Sequence, residues 1–408
     1  MAKAGIYISI PFCRQKCSYC NFASDVHPLA MLPRYRNSLS SEITNRRELW
    51  KQAEIPSDDV IPVDTIYMGG GTPGLVDSDQ LKSLLEAVRA SFVFADQAEI
   101  TIEASPENVI PANAASWAEM GINRVSLGVQ SMVRSELRTV GRRHDVGTVA
   151  RAFACLREAG IENISVDLIA GLPYQTAESW GASLQAVLEL NPAHLSVYML
   201  EVDEDSRLGR EMLLNGHRYH ALAVPSEDQV ADFYCTAMEI LRPAGFEHYE
   251  ISNFARPGKA SWHNQKYWTN SPYFGFGLDA HSYDGERRWA NADTLTAYLE
   301  MRENNQSPIV ELKKLTSREK LEERWFLGLR RREGISLSRL NSERIDEETG
   351  YRGTGRSPCN IEQVFAEPIR GFCEAGWLEM DGDFLRLTDR GLLFSNEVFA
   401  GFLQSAGS

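Results

Sequence analysis

The strongest constraint on the fold is a strand–helix alternation repeated six times. Short β-prone runs recur through the first half of the chain: IYISI (6–10), TIYM (65–68), EITIEA (99–104), RVSLGV (124–129), ISVDLIAG (164–171) and HLSVYML (194–200). The segments between them carry apolar residues every three or four positions, as Leu81, Leu84, Leu85 and Val88 do in LKSLLEAVRASF (81–92). Strands alternating with helices run parallel in one sheet, and a parallel sheet needs helices over its faces. The pattern admits an open doubly wound sheet or a full or partial (β/α)6 barrel. Gly69–Gly71, Glu103, Gln130 and Asp167 stand near the C-terminal ends of these strands. In a barrel those ends converge on one mouth, where an active site lies. Four strands all ending in glycine or hydrogen-bonding groups suit one shared ligand, so we expect an α/β chain with a partial barrel over residues 1–202.

Residues 203–310 are less regular and hold a dense aromatic stretch, YEISNFARPGKASWHNQKYWTNSPYFGFG (249–277). Frequent Pro, Gly and Asn predict mostly loop with short strands. A new pattern begins near Thr316. SREKLEERWFLGLRR (317–331) reads as an amphipathic helix, and IEQVFAEPIRGFCEAG (361–376) as a second, interrupted at Pro368. WLEMDGDFLRLT (377–388) reads as a hairpin turning at Asp381–Gly382, and RGLLFSNEVFAGFL (390–403) as a last helix. Helix, hairpin and helix suggest a small winged-helix-like α+β domain over 311–408. Such domains often bind DNA. A net charge of −14, with Arg330–Arg332 as a solvated helix end, argues instead for packing or partner docking and against nucleic-acid binding.

No stretch approaches the roughly 18 apolar residues of a membrane span. The apolar segment after Lys3 ends at Pro11, too soon for a secretory signal. The expected compartment is the cytoplasm, where thiols stay reduced. Cys155, Cys235, Cys359 and Cys373 are scattered and read as buried, inert thiols. Cys13, Cys17 and Cys20 differ: they form C-x3-C-x2-C within YISIPFCRQKCSYCNFAS (7–24), directly after the first strand. A zinc ion closed by protein wants four ligands, and the nearest further candidate is His27. A cubane iron–sulfur cluster has four irons, each normally held by a Cys thiolate. Three thiolates leave one iron open, which makes chemical sense if another molecule coordinates it.

MGGGTPGL (68–75) fits G-x-G-x-x-G through Gly69, Gly71 and Gly74, the dinucleotide fingerprint. It follows the second strand, however, and no acidic residue stands about 20 positions on, where a ribose partner belongs. A nicotinamide enzyme is therefore the weaker reading of these glycines.

C-x3-C-x2-C after a first strand resembles the radical S-adenosylmethionine (SAM) proteins, whose fold is a full or partial (β/α) barrel. The resemblance implies a [4Fe–4S] cluster whose open iron is chelated by the amino and carboxylate groups of SAM. It also implies cleavage of the sulfonium by the reduced cluster to a 5′-deoxyadenosyl radical. GGGTP (69–73) is similar to the family's glycine motif, where residues without side chains let the backbone approach the methionyl ammonium. Carried over residue by residue, Tyr7, Gly70, Gly71, Thr72, Glu103, Gln130, Arg142 and Asp167 match SAM-contacting positions of the coproporphyrinogen oxidase-like branch. GVQS (128–131), GRRH (141–144) and DLIAGLP (167–173) are the supporting motifs.

Within that branch the resemblance covers nearly the whole chain and is strongest to the haem-chaperone family HemW. Asn21 and Phe22 follow the third cysteine where the oxidases carry a further Cys, and the first strand begins at Ile6 without the oxidases' N-terminal extension. HNQKYW (263–268) is similar to the HNxxYW signature. The resemblance implies His263 as axial haem ligand, with Trp262, Tyr267 and Trp268 against the porphyrin face; without it, His263 reads as a loop histidine in an aromatic subcore. His281, in LDAHSY (278–283), is a second candidate. The implied function is a haem chaperone that binds cluster, SAM and haem and delivers haem to haem-accepting proteins, with membrane respiratory subunits in view. The alternative is an oxygen-independent coproporphyrinogen III oxidase of porphyrin biosynthesis. There are two departures. Ser9 stands where the family's YxHxPFC has a histidine, which bears on radical chemistry more than on cluster binding. Asp279 stands in a segment usually rich in glycine.

Overall fold

The structure, a computed structural model, describes residues 3–56, 61–342 and 365–403. Six strands build its centre: β1 (Ala4–Ile10), β2 (Val63–Gly70), β3 (Phe94–Ala104), β4 (Arg124–Gln130), β5 (Asn163–Ala170) and β6 (His194–Met199). They lie side by side in chain order, every neighbouring pair parallel. Each expected strand is present, extended at one or both ends in several cases. The two-residue side-chain period sorts their residues. Ile6, Ile8, Ile66, Met68, Ile102, Val125, Leu127, Val166 and Val197 join the apolar core shared with helix residues Leu81, Leu84, Leu85 and Val88. Tyr67, Glu103, Ser126, Asp167 and Ser196 occupy the opposite face and line an internal cavity. One face packs on helices and the other encloses a polar interior, the division expected of a curved (β/α) sheet.

The sheet does not stop at six strands. β7 (Glu247–Glu250) and β8 (Asn253–Ala255) add beyond β6, with β8 antiparallel to it. On the other edge β9 (Tyr273–Phe276) pairs parallel with β1. An antiparallel meander of β10 (His281–Tyr283), β11 (Arg287–Asn291) and β12 (Ile309–Lys314) continues from β9. The result is one twelve-stranded sheet. The stretch read as mostly loop also holds helices Arg207–Leu213, Glu227–Leu241, Trp262–Trp268 and Leu295–Glu303. Two local signals account for the difference. Ser226 and Gln229 form a capping box at the start of Glu227–Leu241, and Phe233, Tyr234, Ala237, Met238 and Leu241 make a buried helical stripe within it. The HNQKYW motif lies on a helix, with the Ser261 hydroxyl accepting from the Asn264 N–H.

The C-terminal part is helical with a three-stranded antiparallel sheet, β13 (Ile335–Ser336), β14 (Leu378–Asp381) and β15 (Phe384–Leu387). The hairpin turns at Gly382, where φ is +61°. Trp325 of helix Ser317–Arg330 stacks on Phe402, ring centroids 4.7 Å apart, and ties the first helix of this part to the last. Pro368 does not interrupt its helix. The helix runs Ala366–Glu374, so Pro368 falls in the first turn, where its missing N–H has no partner to lose. The expected residues before it, 361–364, and Cys359 lie outside the described residues. The expected last helix is two, Asp389–Leu393 and Ser395–Leu403. Among the described residues no helix is long and apolar enough to cross a membrane.

Candidate functional site

The loop after β1 is held at both ends. The Cys13 N–H donates to the Asp25 carbonyl (3.1 Å), the Asp25 N–H to Pro11 (3.1 Å), and the Thr72 N–H to Phe12 (2.9 Å). These bonds lay the cysteine loop across the turn after β2. Gly71 permits this: a Cβ there would stand 2.7–2.8 Å from the Ile10 carbonyl oxygen and the Phe12 nitrogen and oxygen. Gly70 adopts φ +96° beside it. The Thr72 hydroxyl lies 3.7 Å from Cys13 Sγ. Burial pushes the Cys13 thiol above its ordinary range, opposed by hydrogen bonds from Thr72 and Ser24.

Cys13, Cys17 and Cys20 are free thiols, each half-buried, and all three open onto the internal cavity of about 690 Å³. Among the described residues no three His, Cys, Asp or Glu groups surround a point where one ion would sit. A zinc ion needs all its ligands at about 2.0–2.3 Å from one centre. A cubane instead spreads its thiolates over different irons. The donor set, three separate thiols facing one space, fits the cluster.

Seven of the eight positions carried over for SAM line the same cavity: Gly70, Gly71, Thr72, Glu103, Gln130, Arg142 and Asp167. The Glu103 carboxylate accepts from the Tyr67 hydroxyl (2.9 Å) and lies against the glycine turn, 3.0 Å from where a Cβ on Gly69 would be. Burial pushes its pKa up to about 7; the bonds from Tyr67 and the Gly70 N–H pull the other way. Asp167 accepts from the Ser126 hydroxyl (3.1 Å), and burial raises it too. Gln130 is at φ +67°, next to a register shift between β4 and β5, and lines the cavity with Ser126 and Gly128 of the same strand face. Arg142 donates to the Tyr19 hydroxyl (3.1 Å) and the Ser105 hydroxyl (3.2 Å), so it ties the cysteine loop to the end of β3. Tyr7, the eighth, does not line the cavity. Its ring stacks beside Tyr67, centroids 6.1 Å apart, and its hydroxyl reaches the glycine turn, 3.3 Å from where a Cβ on Gly70 would be.

His263 is placed differently from a ready ligand. It is buried, with Nδ1 on the Thr65 hydroxyl (2.8 Å) and Nε2 on the Tyr267 hydroxyl (2.9 Å). Burial, with Lys266 and Arg124 adding repulsion, lowers its pKa to about 3, so the ring is neutral at physiological pH. Glu99 holds the start of its helix, accepting from the N–H groups of Trp262 and His263 (each 3.1 Å). Trp262 is exposed; Trp268 lies under the Arg330 guanidinium, 4.2 Å from it. His281 is exposed, 3.8 Å from Asp279, and its hydrogen bond to Asp279 raises its pKa. Ser9, where the family has a histidine, is buried, and its carbonyl accepts from the Tyr35 hydroxyl (2.7 Å).

Among the lining residues that the sequence did not assign to the site are Tyr19, Arg124 and Asn264, and Arg330, read there as part of a solvated helix end, lines the cavity paired with Glu250. Tyr19 sits between two cysteines of the motif and Asn264 directly follows the histidine of HNxxYW, so both were within reach. Arg124 opens a strand, a position that ordinarily reads as a solvated end. Arg330 comes from the C-terminal part, and no local pattern links it to the cavity.

The Radical SAM superfamily model matches residues 7–187 and the HemN C-terminal domain model residues 315–394. The solved coproporphyrinogen III oxidase (HemN) from Escherichia coli superposes with a TM-score of 0.82, at 23% identity, covering 98% of this chain and 90% of that one. The fold and its two family domains thus define a radical SAM protein with a HemN-type C-terminal domain. Proteins named heme chaperone HemW are 33% identical in Bacillus subtilis, over 97% of this chain and 98% of that protein, and 32% identical in Lactococcus lactis, over 97% and 96%. A mouse protein, radical S-adenosyl methionine domain-containing protein 1, is 33% identical over 82% of this chain and 74% of its own length. The chain belongs to the HemW family.

Proposed function

We propose that this chain is a cytoplasmic haem chaperone. It holds a [4Fe–4S] cluster on Cys13, Cys17 and Cys20, binds SAM along the wall from Gly70 to Asp167, and takes up haem for delivery to acceptor proteins. The supporting observation is that three thiols and seven expected SAM contacts face one cavity in a chain whose full-length relatives are named heme chaperones. When bound, the cluster supplies a site for chelation and one-electron reduction of a sulfonium. The chain's own residues do the rest. Gly70 and Gly71 let backbone groups reach the ligand, Glu103 offers a carboxylate to an ammonium, and Arg142 braces the cysteine loop through Tyr19.

His263 remains the haem ligand proposed from HNQKYW. Its bonds to Thr65 and Tyr267 must break first, so ligation there includes opening of the helix Trp262–Trp268. His281 is exposed, and among the described residues its Nε2 has only the contact with Asp279 at 3.8 Å to give up. The alternative, oxidative decarboxylation of coproporphyrinogen III, draws on the HemN-like fold. Phe22, exposed in this structure, stands where the oxidases carry a further Cys.

Anaerobically prepared protein is expected to carry iron and sulfide and to give a haem absorption band on titration. That band should shift in His263→Ala, or in His281→Ala if the surface ring is the ligand. An unchanged band in both variants removes histidine ligation from the proposal. Protoporphyrinogen formed from coproporphyrinogen III with reductant and SAM would replace the chaperone reading with the oxidase.

A further inference from the structure

The cavity continues from the SAM positions toward the start of β4. β4 spans it: Gln130 closes the strand beside the SAM positions, and Arg124 opens it at the opposite end. Six residue steps at about 3.3 Å each separate them by roughly 20 Å. The lining near Arg124 includes Asn264, from the helix whose start Glu99 holds, and Arg330 is also on the lining.

Arg124 is 1% exposed, and its Nε and Nη1 have no hydrogen-bond partner among the described residues. The carboxylates that feel its charge are Glu99, Asp167 and Glu103, and each is engaged elsewhere. Glu99 holds the start of the Trp262–Trp268 helix, Glu103 accepts from Tyr67, and Asp167 accepts from Ser126. Arg330 is in the opposite condition, already paired with Glu250 at 2.9 Å. A guanidinium cannot shed its charge at ordinary pH, and leaving one buried and unpaired is costly. Its planar fork matches a carboxylate in two parallel bonds. Asn264, from the HNQKYW helix, stands on the same lining and can add an amide donor.

We propose that the far end of the cavity is a carboxylate subsite built on Arg124, and that it receives a propionate of the bound porphyrin. This rests on the haem-binding reading above. It also gives the HNQKYW helix a second role, in which Asn264 reaches the propionate.

The same chemistry could come from the carboxylate of SAM, so the experiment has two arms. Cluster-loaded protein is titrated with haem and with haem dimethyl ester, then with SAM and with decarboxylated SAM, in wild type, Arg124→Met and Arg124→Lys. Wild type should bind haem at least tenfold tighter than its diester. Arg124→Met should bind both at the diester's affinity, and Arg124→Lys should recover part of the preference. A preference for SAM over its decarboxylated form that disappears in Arg124→Met would keep the subsite and reassign its occupant. The subsite is refuted if wild type shows neither preference, or if both survive in Arg124→Met. The wild-type comparison needs no variant to fold. If wild type binds neither haem nor its diester, the haem reading itself falls; if it binds both equally, only the propionate seat does.

Discussion

Glu103 offers the sharpest test of the SAM wall. Its pKa of about 7 follows from burial, held in check by the hydrogen bond from Tyr67 and the Gly70 N–H. A cationic ammonium at the glycine turn needs the ionised carboxylate, so SAM affinity should be lost as pH falls through 7. Tyr67→Phe removes one donor to the charged form. A hydrogen bond to a charged group is worth about 1.5 kcal/mol, or about one pH unit, which carries Glu103 to about 8. At pH 7 the carboxylate is then half ionised in wild type and about one-tenth ionised in the variant, which weakens SAM binding about fivefold. Near pH 9 both proteins are ionised and the gap closes. Equilibrium dialysis of labelled SAM against anaerobically reconstituted protein from pH 5.5 to 9 reads both midpoints. Superimposable wild-type and Tyr67→Phe profiles would refute the assignment of Glu103 to the ammonium.

Gly71→Ala places a Cβ within 2.8 Å of three backbone atoms of Ile10 and Phe12. The cysteine loop must shift, at a cost of about 1–3 kcal/mol, and iron retained per chain after gel filtration should drop; full retention at unchanged Tm would show that the approach is not needed. Glu42 is a buried carboxylate that accepts from Tyr298 (2.6 Å), Asn291 (2.7 Å) and the Gly277 N–H (2.9 Å), and burial lifts its pKa from 4.5 to about 7. A folded pKa above the unfolded one stabilises fully below pH 4.5 and is lost as pH rises to 7, about 3 kcal/mol in all. Glu42→Gln cannot titrate, so wild type's advantage over it in urea unfolding should shrink by about that amount between pH 4.5 and 8, and a gap independent of pH would show that Glu42 is ionised throughout.

The parallel core was legible because its signal is local. A strand declares its two faces within a few residues, and a helix such as Ser78–Ser91 declares its stripe within three turns. The cysteine loop and glycine turn were legible for the same reason, each being one contiguous segment. What escaped was the meeting of segments distant in sequence. β9 joins the sheet beside β1 although more than 260 residues separate them, and nothing in YFGF (273–276) marks β1 as its neighbour. His263 shows the limit at a single residue. Its motif marks it for function, but its exposure depends on Thr65 and Tyr267, one from β2 and one a helical turn away. Arg124 shows the converse. By sequence it is a charged residue at a strand start. It becomes a candidate binding group only because the carboxylates near it are already committed to other donors. A site's spare charge is what remains after every neighbour has been paired, and that sum exists only once the chain has folded.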